Sequence, residues 1–168
     1  MNRNQLMPSL VCGFGAAVLT TIPGVKSFAC CLIVPMAAVI SINLDHRINK
    51  SEFPVKAGTA ILFGIMTGIF AALFSTAFDV LITSIFHTND FVEALPQTEA
   101  LVKQYKLDAI LDQTLVIFKQ MSKDISYYGF SVFYTFAMLI SNLFVNVIFG
   151  IFGGLVGMSV FNKRTTKS

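Results

Sequence analysis

Two asparagines, Asn142 and Asn146, stand one helical turn apart in a stretch that carries no charge from Tyr127 to Asn162. A carboxamide left without a hydrogen bond in an apolar medium costs about 2–7 kcal/mol, so both side chains must point at other polar groups. Two chemistries fit: hydrogen bonding between helices, or a polar site for a small solute. Asp79 would add a carboxylate to such a site. It lies more than 20 residues past Lys56, a distance along a helix that places it at the far interface, solvated, and not in a mid-membrane proton relay.

Other reactive residue types point away from catalysis. Cys12, Cys30 and Cys31 all lie in apolar runs, with no CxxC or Cys/His spacing of the kind zinc or a thioredoxin-like centre needs. The adjacent pair Cys30 and Cys31 could serve a quinone-linked thiol oxidase; the competing reading is a pair of small polarizable fillers in a helix. His46 and His87 fall in loops on opposite sides of the expected bundle, so they cannot ligate one haem between them. No catalytic, cofactor or metal motif rises above chance, and the chain reads as a non-enzyme.

Small residues form the other pattern with mechanical meaning. On one apolar run Gly64, Gly68, Ala71 or Ala72, Ser75 and Asp79 recur at steps of three or four; on another Ser131, Thr135, Asn142, Asn146, Gly150, Gly153 or Gly154 and Gly157 do the same. Helices in lipid associate through close approach of such residues, because lipid tails are as apolar as leucine. Gly64 lies eight residues past Lys56 and Gly154 nine before Lys163. At 1.5 Å per residue both patches lie roughly 12–14 Å from the same boundary, so the two helices are predicted to pack there through Gly64, Gly68, Gly150, Gly154 and Gly157.

The elements that position these residues follow from composition. In 168 residues the chain is 55% hydrophobic and 12% charged, about half the charge of a soluble protein, and its mean hydropathy is +0.72. A soluble helical core would need a charged face on every helix, whereas Ala57 to Phe78 carries no charge at all. The predicted fold is all-α: a membrane-embedded four-helix bundle with spans at 6–22, 27–44, 55–80 and 130–160. Pro8 sits in the first turn of the first span, Pro23 and Gly24 make the turn after it, Pro35 kinks the second, and Pro54 begins the third, whose helical pattern runs on to Phe86. The first span could instead be a signal peptide, but no A-x-A site precedes Pro23, and retention is the reading adopted.

Between the third and fourth spans, residues 87–127 form a predicted extracytoplasmic helical segment. Pro96, Thr98 and Glu99 look like a helix start, and Leu107, Leu111, Leu115, Phe118, Met121 and Ile125 repeat at helical spacing opposite Asp108, Asp112, Lys119 and Lys123. Such helices lie on the membrane surface, cap the bundle or bind a protein partner. Tyr127 and Tyr128 stand where an aromatic belt is expected, and the fourth span continues from them to about Phe161.

Charge sets the orientation. Arg3, then Arg47, Lys50 and Lys56, then Lys163, Arg164 and Lys167 cluster in short flanks, which the positive-inside rule places in the cytoplasm with both termini. The polar run from Asn43 and Asp45 to Glu52 ends the second span on that side. No basic stripe with interleaved aromatics suggests nucleic acid.

The segments PVKAGTAILFGIMTGIFAALFSTAF, DFVEALPQTEALVKQY and NLFVNVIFGIFGGLVGMSVFNKR resemble a family of small bacterial four-helix membrane proteins known only as a domain of unknown function. The resemblance covers roughly half the chain, mainly residues 54–92 and 142–164, and rests on glycine and hydrophobic pattern. The first hairpin, with Pro23 and Pro35, lies outside it. It implies no activity, cofactor or catalytic residue. The expected role is a structural or accessory component of the bacterial inner membrane, with the bilayer and a membrane or extracytoplasmic protein as partners; the alternative is a small oligomeric transporter or channel with its polar site at Asn142 and Asn146.

Overall fold

An uncharged chain segment too long to be solvated must satisfy its backbone within itself, and the helix does this locally. The computed structural model describes residues 3–22, 24–25, 29–49, 54–105 and 108–165. Among them are six α-helices and no strand: α1 (Arg3–Thr20), α2 (Val34–Asn49), α3 (Ala57–Phe86), α4 (Asp90–Gln104), α5 (Asp108–Tyr128) and α6 (Val132–Thr165). Three segments are long and apolar enough to cross a membrane, Cys31–Ile48, Ala57–Phe86 and Val132–Lys163; the apolar part of α1, Leu6–Thr20, is shorter. Pro23, Lys26, the expected start of the second span at Ser27, the loop residues Lys50 to Glu52, Leu107, Lys167 and the side chains of Arg3, Cys30, Asp108, Asp112 and Arg164 lie outside the described residues.

The helices divide into two units, residues 1–78 with 139–168 and residues 79–138. In the first unit, α1 begins at Arg3, so Pro8 falls in its second turn and not in the first. A π-helical turn, Ala29–Ile33, precedes α2 and leaves Pro35 as the second residue of that helix. The π-turn and α2 are contiguous, so Pro35 falls within one helical run, where the missing N–H of the proline leaves a carbonyl of the preceding, wider turn without its usual partner. Small residues make up most of this unit's interior, with Ser9, Cys12, Ala16, Ala17, Ala37, Ala38, Ser41, Ala60, Ala71 and Ala72 all buried beside Val34, Ile42 and Phe63, whereas Met7, Val11, Phe14 and Val18 form an exposed stripe along α1. On α6, Ile140, Phe144, Ile148, Phe152 and Val156 are exposed at every fourth position.

The second unit is capped in the manner of a protein in water. Asn89 ends the loop after α3, and its side chain accepts a hydrogen bond of 3.0 Å from the Val92 N–H while Asp90 and Glu93 occupy the first turn of α4. That cap starts the helix six residues before Pro96, so the expected start at Pro96, Thr98 and Glu99 is superseded and the proline lies inside α4, exposed. Leu95 and Val102 of α4 and Leu115, Met121 and Ile125 of α5 are buried. Phe91 joins three helices, with ring centroids 5.5 Å from Phe118 and 5.3 Å from Tyr134. Lys119 pairs with Glu99 at 3.3 Å between α5 and α4.

Gly129 then interrupts the run that the sequence reading joined from Tyr127 to Phe161. Its φ is +69°, and its N–H donates to the Ile125 carbonyl at 2.8 Å, the left-handed cap that ends a helix. Tyr127 and Tyr128 therefore belong to α5, and α6 starts afresh at Val132.

Candidate helix-packing and polar site

In the first unit α3 and α6 approach to backbone contact. A Cβ added to Gly64 would run into the carbonyl of Gly150, one on Gly68 into the backbone carbonyl of Asn146, and one on Gly154 into the carbonyl of Ala60. Each contact moves four residues up α3 and four down α6, the register of two antiparallel helices in backbone contact over about 12 Å. Gly157 is not part of this seam. It faces Val39 and Ile42 of α2, and Gly153 faces Pro35 of the same helix. Residues three apart on α6 lie about 60° from one another, so one glycine-rich helix serves two neighbours.

Asn142 sits at one end of the seam and donates from Nδ2 to the Thr76 hydroxyl at 3.0 Å. Asn146 is buried one turn further in. At the other end, Asn162 closes a pair of hydrogen bonds with the backbone of Val55: its Oδ1 accepts from the Val55 N–H at 2.8 Å and its Nδ2 donates to the Val55 carbonyl at 3.1 Å. The reading by depth stopped one residue short of this contact, since Val55 precedes Lys56 as Asn162 precedes Lys163. Asp79, in the second unit, is half-buried and engaged with neighbours.

α1 joins through hydroxyls and another glycine. The hydroxyls of Ser9 and Ser41 share a buried hydrogen bond of 3.1 Å, those of Thr20 and Ser75 one of 3.1 Å, and a Cβ on Gly13 would press on Phe70 and Ala71. Sequence reasoning missed both hydroxyl pairs, because serine and threonine are common in lipid-exposed positions too and spacing alone does not pair them. Asp45, in the polar run expected to end the second span, lies one turn past Ser41 inside α2, 4% exposed and engaged. The Thr67 hydroxyl is buried and has no hydrogen-bond partner among the described residues.

Cys12 is buried and Cys31 exposed. His46 is in the last turn of α2, in the first unit; His87 follows α3 in the second, where its N–H donates to the Thr83 carbonyl at 2.8 Å. No group of three or more His, Cys, Asp or Glu able to hold a metal ion occurs among the described residues. Comparison of the chain with protein-family models, curated proteins and solved structures returns no match.

Proposed function

We propose that this chain is a non-enzymatic integral membrane protein that crosses the bilayer four times, through α1, α2, α3 and α6, and serves as a structural or accessory component through helix contacts and its α4–α5 segment. The observation that carries this reading is the distribution of size: the interior of the first unit is mostly small and hydroxylated residues, with Val34, Ile42 and Phe63 among them, while rows of large aliphatic and aromatic ones are exposed along α1 and α6. Water would drive the large residues inward; lipid does not, and leaves close packing of small ones as the means of association. At 1.5 Å per residue the apolar part of α1, Leu6–Thr20, reaches about 22 Å, short of a hydrocarbon core of about 30 Å, a mismatch that local thinning of the bilayer accommodates.

The exposed cations Arg47, Lys56 and Lys163 mark the cytoplasmic side in this reading, with α4 and α5 on the other, and the membrane is the bacterial inner membrane. Several polar groups of the first unit pair with one another: the Asn142 amide with Thr76, Ser9 with Ser41, Thr20 with Ser75. The purified chain in proteoliposomes is expected to pass no small polar solute above the rate of empty vesicles. Specific flux that Asn142→Leu abolishes would contradict it.

A small oligomeric transporter or channel is the second reading, and two groups favour it. The Asp45 carboxyl is buried within Cys31–Ile48, and the Thr67 hydroxyl is buried without a partner among the described residues. Intramembrane polar groups of this kind often mark a solute path. Flux lost in Asp45→Asn or Thr67→Val, with Asn142→Leu unaffected, would move the polar site from the seam to these residues.

A further inference from the structure

Ser131 stands immediately before α6, where a serine side chain ordinarily caps the helix. Here it does not. Its backbone carbonyl accepts from the Thr135 N–H at 3.0 Å, but its hydroxyl is buried and has no hydrogen-bond partner among the described residues. The same residue lines a cavity of about 10 Å³, whose walls are Val80 and Thr83 of α3, Gly129 and Phe130 of the turn, and Tyr134 and Thr135 of α6. All of them belong to the second unit. A space of that size suits a single water molecule and nothing larger. No charged side chain lines it among the described residues, so an ion would enter without a counter-charge.

We infer that this cavity binds one structural water that joins α3 to the start of α6. Thr83 supplies the partner on α3. Its Oγ1 accepts from Asn89 Nδ2 at 3.4 Å, which leaves its own proton to donate. The water accepts that hydrogen bond and donates to the hydroxyls of Ser131 and Thr135, which gives it the number of bonds usual for a buried water. Left dry, the Ser131 hydroxyl would have given up its hydration with nothing in return. Asn89 is the cap of α4 and holds the Val92 N–H at 3.0 Å. The water therefore extends one polar chain from the first turn of α4, through Asn89 and Thr83, to Ser131 at the head of α6. Neither the threading of the chain through a membrane nor its orientation enters, because every residue used lies within one unit.

The full chain, crystallised from a lipidic cubic phase at a resolution that shows ordered water, is expected to carry one density peak at hydrogen-bond distance from both Ser131 Oγ and Thr83 Oγ1. A dry cavity, or a Ser131 hydroxyl turned onto a protein acceptor, overturns the proposal, as does a peak with the shorter contacts of a metal ion. Ser131→Ala tests it in solution through the sign of its effect on unfolding in mixed micelles titrated with sodium dodecyl sulfate. Removing a hydrated hydroxyl is expected to raise the unfolded-to-folded ratio about fivefold, the worth of an ordinary hydrogen bond. Removing a dry one relieves an unpaired polar group, so a ratio that is unchanged or lowered overturns the proposal as well.

Discussion

Gly64, Gly68, Gly150 and Gly154 differ from Gly15 and Gly58 in what a methyl group would meet. The first four face backbone carbonyls of a neighbouring helix; around the other two no atom lies within 4 Å of the added carbon. Gly64→Ala or Gly150→Ala must separate the two backbones, and overpacking of this kind costs about 1–3 kcal/mol. Gly15→Ala should be neutral or slightly stabilising. Unfolding in mixed micelles titrated with sodium dodecyl sulfate measures both. Asn142→Leu removes one interhelical hydrogen bond, for which a loss of about 0.6 kcal/mol is expected in the same assay. The glycine face was legible in the sequence because its spacing and its distance from Lys56 and Lys163 are geometric quantities. The choice of neighbour was not: spacing puts Gly153 and Gly157 on a helix face but does not say that α2 lies against it. The burial of Asp45 was not legible either, because the run of His46, Arg47 and Asn49 beside it says nothing of α1, whose Ser9 bonds Ser41 one turn away.

Among the elements, α4 and the α5–α6 turn carry the sharpest local signals. Asn89→Ala deletes the cap of α4 and is expected to cost about 1 kcal/mol, seen as faster amide exchange over its first turn. Gly129→Ala should cost more, about 1–3 kcal/mol, because its φ of +69° is joined by a collision of the new methyl with the His87 ring and the Ser84 carbonyl. The amphipathic spacing of α5 and the long uncharged runs of α3 and α6 were readable directly. The start of α4 was not, since a proline signals a helix start more loudly than an asparagine, and here the asparagine, with Asp90 behind it, was the cap. Gly129 went unread for a similar reason: a single glycine between Tyr128 and Phe130 breaks a helix only when a left-handed cap is made there.

For the whole molecule, the proposed threading has one consequence that packing alone does not share. If α1, α2, α3 and α6 cross the bilayer and the basic flanks stay inside, α4 and α5 face the outside; if the chain is inserted the other way, every helix contact described above survives unchanged. Topology is therefore a separate claim from the fold. Thr98→Cys, in a chain whose native cysteines are replaced by serine, reports it directly, because Thr98 is on α4, in the segment between the third and fourth proposed spans. Treated from outside with a membrane-impermeant maleimide, this variant in intact spheroplasts is expected to label fully, and an Asn162→Cys control only after lysis. Labelling of Thr98→Cys only after lysis would contradict the proposed orientation.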